Sequence, residues 1–325
     1  MVTIWWGVLG LLLGGYFALA GYDYGIGMLL PALSRDEAGQ RRVLGAVGPF
    51  FLANEVWLIA AVGVLFGAFP HLEGRVFAGA YVLVVLLLLG LVTFTAAVQL
   101  RSRHPEGGRR GWTFAITAGA LVTAVSWGLF LGNLVRGLPL DAQGHPVDDV
   151  LALFNPYAVL WGLGFVALFC LQGLVFLSVR GPAEIAGRVR RLTRSFLAPV
   201  GFFLVIATAW GAFSATSWAA LVVVAIAFAA YLTVLFGLRR PRLALPAAML
   251  LTASPALLVG VLRYPVVLSS TSGYQLTVEQ AATTPDMAAV LGWFAAPALL
   301  VLIAVQWLTW RAHRRPVDEK SLLHF

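Results

Sequence analysis

Charged side chains cut this sequence into long apolar runs. Residues 4–33 carry one charge, Asp23, and residues 43–72 carry one, Glu55. Residues 76–100, 111–135 and 150–179 carry none, and residues 195–238 form a stretch of 44 without a charge. Two further apolar runs cover 243–262 and 287–310. A helix needs about 20 mostly apolar residues to cross a bilayer. The long stretch therefore holds two crossings, with Ser214, Ala215, Thr216, Ser217 and Trp218 as the natural turn between them. The pattern predicts an all-α polytopic membrane protein of about nine transmembrane helices. They fall near 4–33, 43–69, 76–100, 111–135, 153–179, 195–213, 217–238, 243–263 and 287–310, as one transmembrane helical domain over 1–325. The first run lacks a basic leader and a small-residue cleavage site, so it reads as a retained helix.

Composition agrees with lipid as the solvent. The chain is 60% hydrophobic and 11% charged, with mean hydropathy +0.89, whereas a soluble domain carries roughly 25% charged residues. The net charge of +8 does not point to nucleic acid. All but one of the 22 cationic residues are arginines, scattered over short connections. Their placement alternates. Arg75, Arg136 and Arg263 alone lie in the even-numbered connections, and the other 19 lie in the odd-numbered connections and the tail. Cytoplasmic loops are the arginine-rich ones, so the N-terminus is expected outside and the C-terminus in the cytoplasm.

Helix 1 carries Gly10 and Gly14, then Gly21 and Gly25. Glycines four apart strip one helix face and admit a neighbouring backbone, although glycine is also generally common in membrane helices. Trp5 and Trp6, at the outer end of the same helix, read as interface anchors. The long outer loops, 136–149 and 263–286, show no periodicity that predicts an element.

Candidate chemistry is sparse. Cys170, the single cysteine, reads as a small buried residue in an apolar run. His71, His104, His145, His313 and His324 all fall in predicted loops, at helix ends or in the tail, and the intramembrane methionines are Met28 and Met249. A membrane haem needs His, Met or Cys as axial ligand. This chain is therefore expected to ligate none, and a partner chain to supply the ligands if haem is used. Asp141, His145, Asp148 and Asp149 lack a known ligand spacing and read as a solvated acidic loop, so no metal site is predicted.

Two carboxylates remain inside the spans. A charge at the bilayer centre costs roughly 2.5–3.5 kcal/mol on insertion scales, so such groups usually have a role. Asp23 falls toward the cytoplasmic end of helix 1. There it serves either a proton route or an interfacial pairing with an arginine of the next loop. Glu55 falls about 18 Å into helix 2 at 1.5 Å per residue. Asp23 and Glu55 are the proton-path candidates. Asn54 joins Glu55 in one polar cluster, and Trp57 is expected on a different face of helix 2 from Glu55.

Five stretches carry a resemblance. They are Gly21-Tyr22-Asp23-Tyr24-Gly25-Ile26-Gly27-Met28, then Gly48 through Leu58 with Asn54-Glu55-Val56-Trp57 at its centre, then Gly132-Asn133-Leu134-Val135-Arg136-Gly137. Leu153-Phe154-Asn155-Pro156-Tyr157 follows, and last Tyr264-Pro265 with Leu276-Thr277-Val278. In this order they resemble subunit II of cytochrome bd-type quinol oxidases. The resemblance implies a heterodimer in the cytoplasmic membrane of a prokaryote. Its haem-bearing subunit I would hold haem b and haem d, oxidise quinol and reduce oxygen to water. Subunit II would scaffold that partner and contribute to proton delivery and oxygen access. By position, Glu55, Asp23 and Asn54 then belong to the proton path and Trp57 to the oxygen-access or subunit-contact region. Some relatives add a small accessory subunit or a quinone held as a structural ligand, for which no residue here identifies a site. Two departures stand out. Leu52 replaces the acidic residue usual before Glu55, and Gln99 with Leu100 replaces the acidic residue usual before Arg101. The alternative class is a stand-alone secondary transporter using its intramembrane carboxylates, although Pro49, Pro199, Pro246 and Pro255 do not fall in two matching halves.

Overall fold

The computed structural model describes residues 1–103, 109–211 and 217–313. Eleven α-helices occur there: α1 (Val2–Leu33), α2 (Glu37–Ala68), α3 (Pro70–Gly79), α4 (Tyr81–Arg103), α5 (Arg109–Arg136), α6 (Pro156–Arg180), α7 (Ala186–Gly211), α8 (Trp218–Gly237), α9 (Pro241–Val261), α10 (Val278–Ala281) and α11 (Pro285–Ala312). Among the described residues, nine are long and apolar enough to cross a membrane, α3 and α10 being the short exceptions.

Local chemistry sets the boundaries. The Asp36 carboxylate accepts from the Gly39 amide at 3.0 Å and starts α2. Asn155 and Thr284 cap α6 and α11, each followed by proline at the first helical position. These are groups that satisfy the orphan amides of a first turn. Several helices outrun the apolar runs. α2 begins at Glu37 and α7 at Ala186, because arginine-bearing turns remain good helix beyond the lipid depth that hydropathy marks. The third span begins at Tyr81, not at residue 76 as predicted. Pro70 opens a separate short helix, α3, which ends at Gly79. The turn expected at Ser214 lies outside the described residues, except that the Ser217 hydroxyl accepts from the Ala219 amide at 3.2 Å and caps α8.

Helix α1 sits at the centre, packed against α2, α5, α6 and α9, while α11 returns along α2. Its glycines explain the closest approach. A methyl at Gly25 would overlap the Phe169 carbonyl of α6, and one at Gly21 the Gln172 carboxamide. Gly10 has open space instead, and Gly14 and Gly21 meet side chains, so of the four only Gly25 seats a backbone. Trp5 and Trp6, at the start of α1, make contacts within the protein. Trp5 is buried, and Trp6 donates its indole N–H to the Gly260 carbonyl at 2.8 Å and meets Phe69 edge-on. Both pack against other helices.

The two long loops expected to be without structure form one cap. Val266–Ser269 (β1) and Gln275–Thr277 (β2) pair antiparallel. Leu138 of the other loop donates its amide to the Ser269 carbonyl at 3.0 Å and accepts from the Thr271 amide at 3.0 Å. The isolated stretch Val266, Val267 and Leu268 is too short to announce itself beside the apolar spans, yet its branched residues suit a strand.

Candidate functional site

Asp23 lies on the α1 face that meets α2, with only 2% of its surface exposed. Asn54 on α2 is fully buried beside it. The Asn54 amide nitrogen stands 2.9 Å from Asp23 Oδ2, 2.9 Å from the Leu19 carbonyl and 2.8 Å from the Tyr22 hydroxyl. Its two N–H groups are thus shared among three acceptors. The Asn54 carbonyl accepts from Gln306 Nε2 of α11 at 3.1 Å, and Gln306 Oε1 accepts from the Trp57 indole at 3.3 Å. One chain of hydrogen bonds therefore links α1, α2 and α11. The other carboxylate oxygen of Asp23, Oδ1, is buried and has no hydrogen-bond partner. The pairing partner of Asp23 is Asn54, not an arginine of the following loop.

Glu55 does not join this chain. Successive helical residues point about 100° apart, and Glu55 faces α4, where the Thr95 hydroxyl donates to it at 2.6 Å. It is half-buried, at the edge of an exposed stripe formed by Leu52, Val56 and Ile59. The four predicted site residues thus separate: Asp23, Asn54 and Trp57 share one network, and Glu55 lies on another face of α2. Trp57 also packs its ring on Gly15 of α1, where any side chain would collide with it. An apolar groove of about 560 Å³ opens beside this network, lined by Trp57, Leu19, Met249, Gln306 and Trp307.

Gln306 and Thr95 are the residues that sequence reading missed. Gln306 did leave a signal, as the one carboxamide in the apolar run 287–310. Thr95 left none, because threonine hydroxyls in spans usually bond their own helix, as Thr208, Thr233 and Thr252 do.

The remaining candidates lie apart. His71 is within α3, His145 in the cap formed by the two long loops and His313 at the C-cap of α11, while His104 and His324 lie outside the described residues. Asp141 accepts from the amides of His145 and Gln143 at 2.8 and 2.9 Å and approaches the His145 ring at 3.3 Å, which organises the loop. Those bonds hold the Asp141 carboxyl below the usual carboxylate range. Asp149 caps a 3-10 turn over Val150–Phe154 through the Ala152 amide. Cys170 is buried in α6.

Fold and site together define a polytopic helical membrane protein with a polar network held between its first, second and last described spans. The family described as cytochrome bd terminal oxidase subunit II matches residues 1–313, and the chain belongs to that family. It is 31% identical over 214 residues to the cytochrome bd ubiquinol oxidase subunit 2 of Bacillus subtilis, covering 65% of this chain and 62% of that protein. It is 32% identical over 192 residues to the cytochrome bd-I ubiquinol oxidase subunit 2 of Escherichia coli, covering 58% of this chain and 51% of that protein. The aligned region thus spans little more than half the length of these curated relatives. A chain from the structure of bd oxidase from Geobacillus thermodenitrificans shares the fold, with TM-score 0.75 at 20% identity over 96% of this chain and 98% of that one.

Proposed function

We propose that the chain is the subunit without haem ligands in a heterodimeric terminal oxidase that oxidises quinol and reduces oxygen to water. It lies in the cytoplasmic membrane of a prokaryote, with its N-terminus outside. The partner, subunit I, holds haem b and haem d. The placement of His71, His145 and His313 outside the spans or at their ends supports this division, since no described histidine is at a depth where it could hold a membrane haem. Its own role is in scaffolding and proton supply.

The observation that carries the proton reading is the Asp23–Asn54 pair. It is a buried carboxyl held by a carboxamide, with no cation among its hydrogen-bond partners and one oxygen left over. Such a group inside a membrane is costly and serves as a relay point more often than as a brace. Glu55 is the second station. It stands at the edge of the Leu52–Val56–Ile59 stripe, and a carboxyl there gains most if a partner chain, rather than lipid, covers the stripe. Trp57 and Gln306 tie the Asp23–Asn54 pair to α11, and in our reading Trp57 lies at the oxygen-access and subunit-contact region.

The test is to purify a tagged copy from its native membrane in mild detergent and to record a reduced-minus-oxidised visible spectrum. Haem b and d bands with a second large membrane chain are expected. A colourless single-chain preparation would overturn the oxidase reading and bring the transporter alternative forward. Quinol-driven oxygen uptake in Glu55→Gln then tests the second station. Reduced turnover is expected, and unchanged turnover removes Glu55 from the path.

A further inference from the structure

At the arginine-rich end, α2, α4 and α5, with the end of α1 and the connection after it, line an open cavity of about 470 Å³. Arg35, Arg101 and Arg110 line it together with Gln40, Thr113 and Phe114. Its polar wall is built, not incidental. The Gln40 carboxamide is buried. It donates to the Ser34 carbonyl at 3.0 Å, and its oxygen accepts from Arg101 Nη2 at 2.9 Å and from the Thr113 hydroxyl at 3.0 Å. A side chain from α2 thereby fixes a guanidinium from α4 and a hydroxyl from α5 at one point on the wall. Arg35 and Arg110 stand exposed at the rim. Glu37 also lines the cavity, so that among the described residues its wall sets three guanidinium groups against one carboxylate.

The other half of the rim is apolar. Phe114 is 74% exposed, and Pro31 lies exposed at the end of α1. Guanidinium groups match phosphate oxygens in a planar, two-point geometry. Basic pockets between spanning helices at the membrane boundary are suited to anionic lipid headgroups. A free phosphate ion would use the arginines but gain nothing from Phe114 and Pro31, whereas an acyl-bearing phosphodiester uses both.

We propose that this cavity binds the phosphodiester headgroup of an anionic phospholipid, with Arg35, Arg101 and Arg110 around the phosphate and Phe114 against the first acyl carbons. The proposal does not rest on the oxidase reading.

The test uses the full-length protein purified from its native membrane with whatever chains accompany it, delipidated and titrated with phosphatidylglycerol or phosphatidylcholine under native mass spectrometry. Phosphatidylglycerol is expected to be retained and phosphatidylcholine not. The double variant Arg35→Gln/Arg110→Gln removes two rim charges without touching the Gln40 bonds and is expected to weaken retention about tenfold or more. Arg190→Gln/Arg194→Gln, an equal charge loss on α7, is expected to leave it unchanged. Equal weakening by both pairs would mean a diffuse surface charge and overturn the site. Displacement of the lipid by millimolar inorganic phosphate would make it a free-anion site and overturn the lipid assignment.

Discussion

Asn54 and Asp23 meet across the α1–α2 contact with their side chains 2.9 Å apart, and the same carboxamide reaches Gln306 on α11. Asn54 is thus a three-helix junction rather than a neighbour of Glu55 by function. Asn54→Ala would strand Asp23 Oδ2 and Gln306 Nε2 in the interior. A buried polar group left without its partner costs about 1–3 kcal/mol. The purified variant is expected to unfold at a clearly lower temperature than the parent. An unchanged midpoint would mean that the network carries no stability.

Asp23→Asn separates shape from proton transfer. The carboxamide oxygen keeps an acceptor for Asn54, so the melting temperature should move little. A carboxamide cannot take up and hand on a proton as a carboxyl does, so quinol-driven oxygen uptake should fall about tenfold, a barrier increase near 1.4 kcal/mol. Full turnover with normal stability would assign Asp23 to structure alone.

Thr95→Val tests the other face. It removes the hydroxyl that donates to Glu55 at 2.6 Å while keeping the branched shape in α4. If Glu55 takes part in turnover, the loss should appear in oxygen uptake as well as in stability. A stability change of about 1 kcal/mol with unaltered turnover would reduce the contact to a brace.

The glycines of α1 make a matched pair. Gly25→Ala drives a methyl into the Phe169 carbonyl on α6, where backbone rather than a flexible side chain must yield. Overpacking of this kind costs typically 1–3 kcal/mol, occasionally more. Gly10→Ala meets open space and should stabilise slightly or not at all, through the better helix propensity of alanine. Thermal unfolding of the two variants side by side checks this, and equal midpoints would contradict the packing account.

What the sequence made readable follows from what each signal measures. Hydropathy reports lipid depth, so it found the nine spans among the described residues but not the helical turns at Glu37–Arg42 and Ala186–Arg194, which continue past the apolar run. Charge inside a span is conspicuous, so Asp23 and Glu55 stood out at once. The groups around them did not, because Thr95 reaches Glu55, and Gln306 reaches the Asn54 partner of Asp23, from helices far away in the chain, and only packing brings those faces together. Sequence adjacency grouped Asn54 with Glu55, whereas helix geometry turns them to different neighbours. The cap was illegible for another reason. Its order comes from Leu138 and Leu140 of one loop bonding to Ser269, Thr271 and Ser272 of the other, a pairing that neither loop encodes alone.

That cap carries a pH dependence of known sign. The Asp141 carboxyl is held below the usual carboxylate range chiefly by the His145 amide, then by the Gln143 amide and the His145 ring. A carboxyl lowered in the folded state contributes stability that is complete above its unfolded value, about 3.9, and that is lost as pH falls through the folded value. The turn from Asp141 to His145 should therefore stay closed from neutral pH down to the carboxylate range and loosen only below it. Asp141→Asn keeps one acceptor and removes the titration. The amides of Gln143 and His145 should exchange faster with solvent in this variant than in the parent at neutral pH, and should converge with the parent in strong acid. Equal protection of the two proteins at neutral pH would show that the turn is held by its backbone bonds, such as the Asp141 amide to the His145 carbonyl at 2.8 Å, and not by the carboxylate.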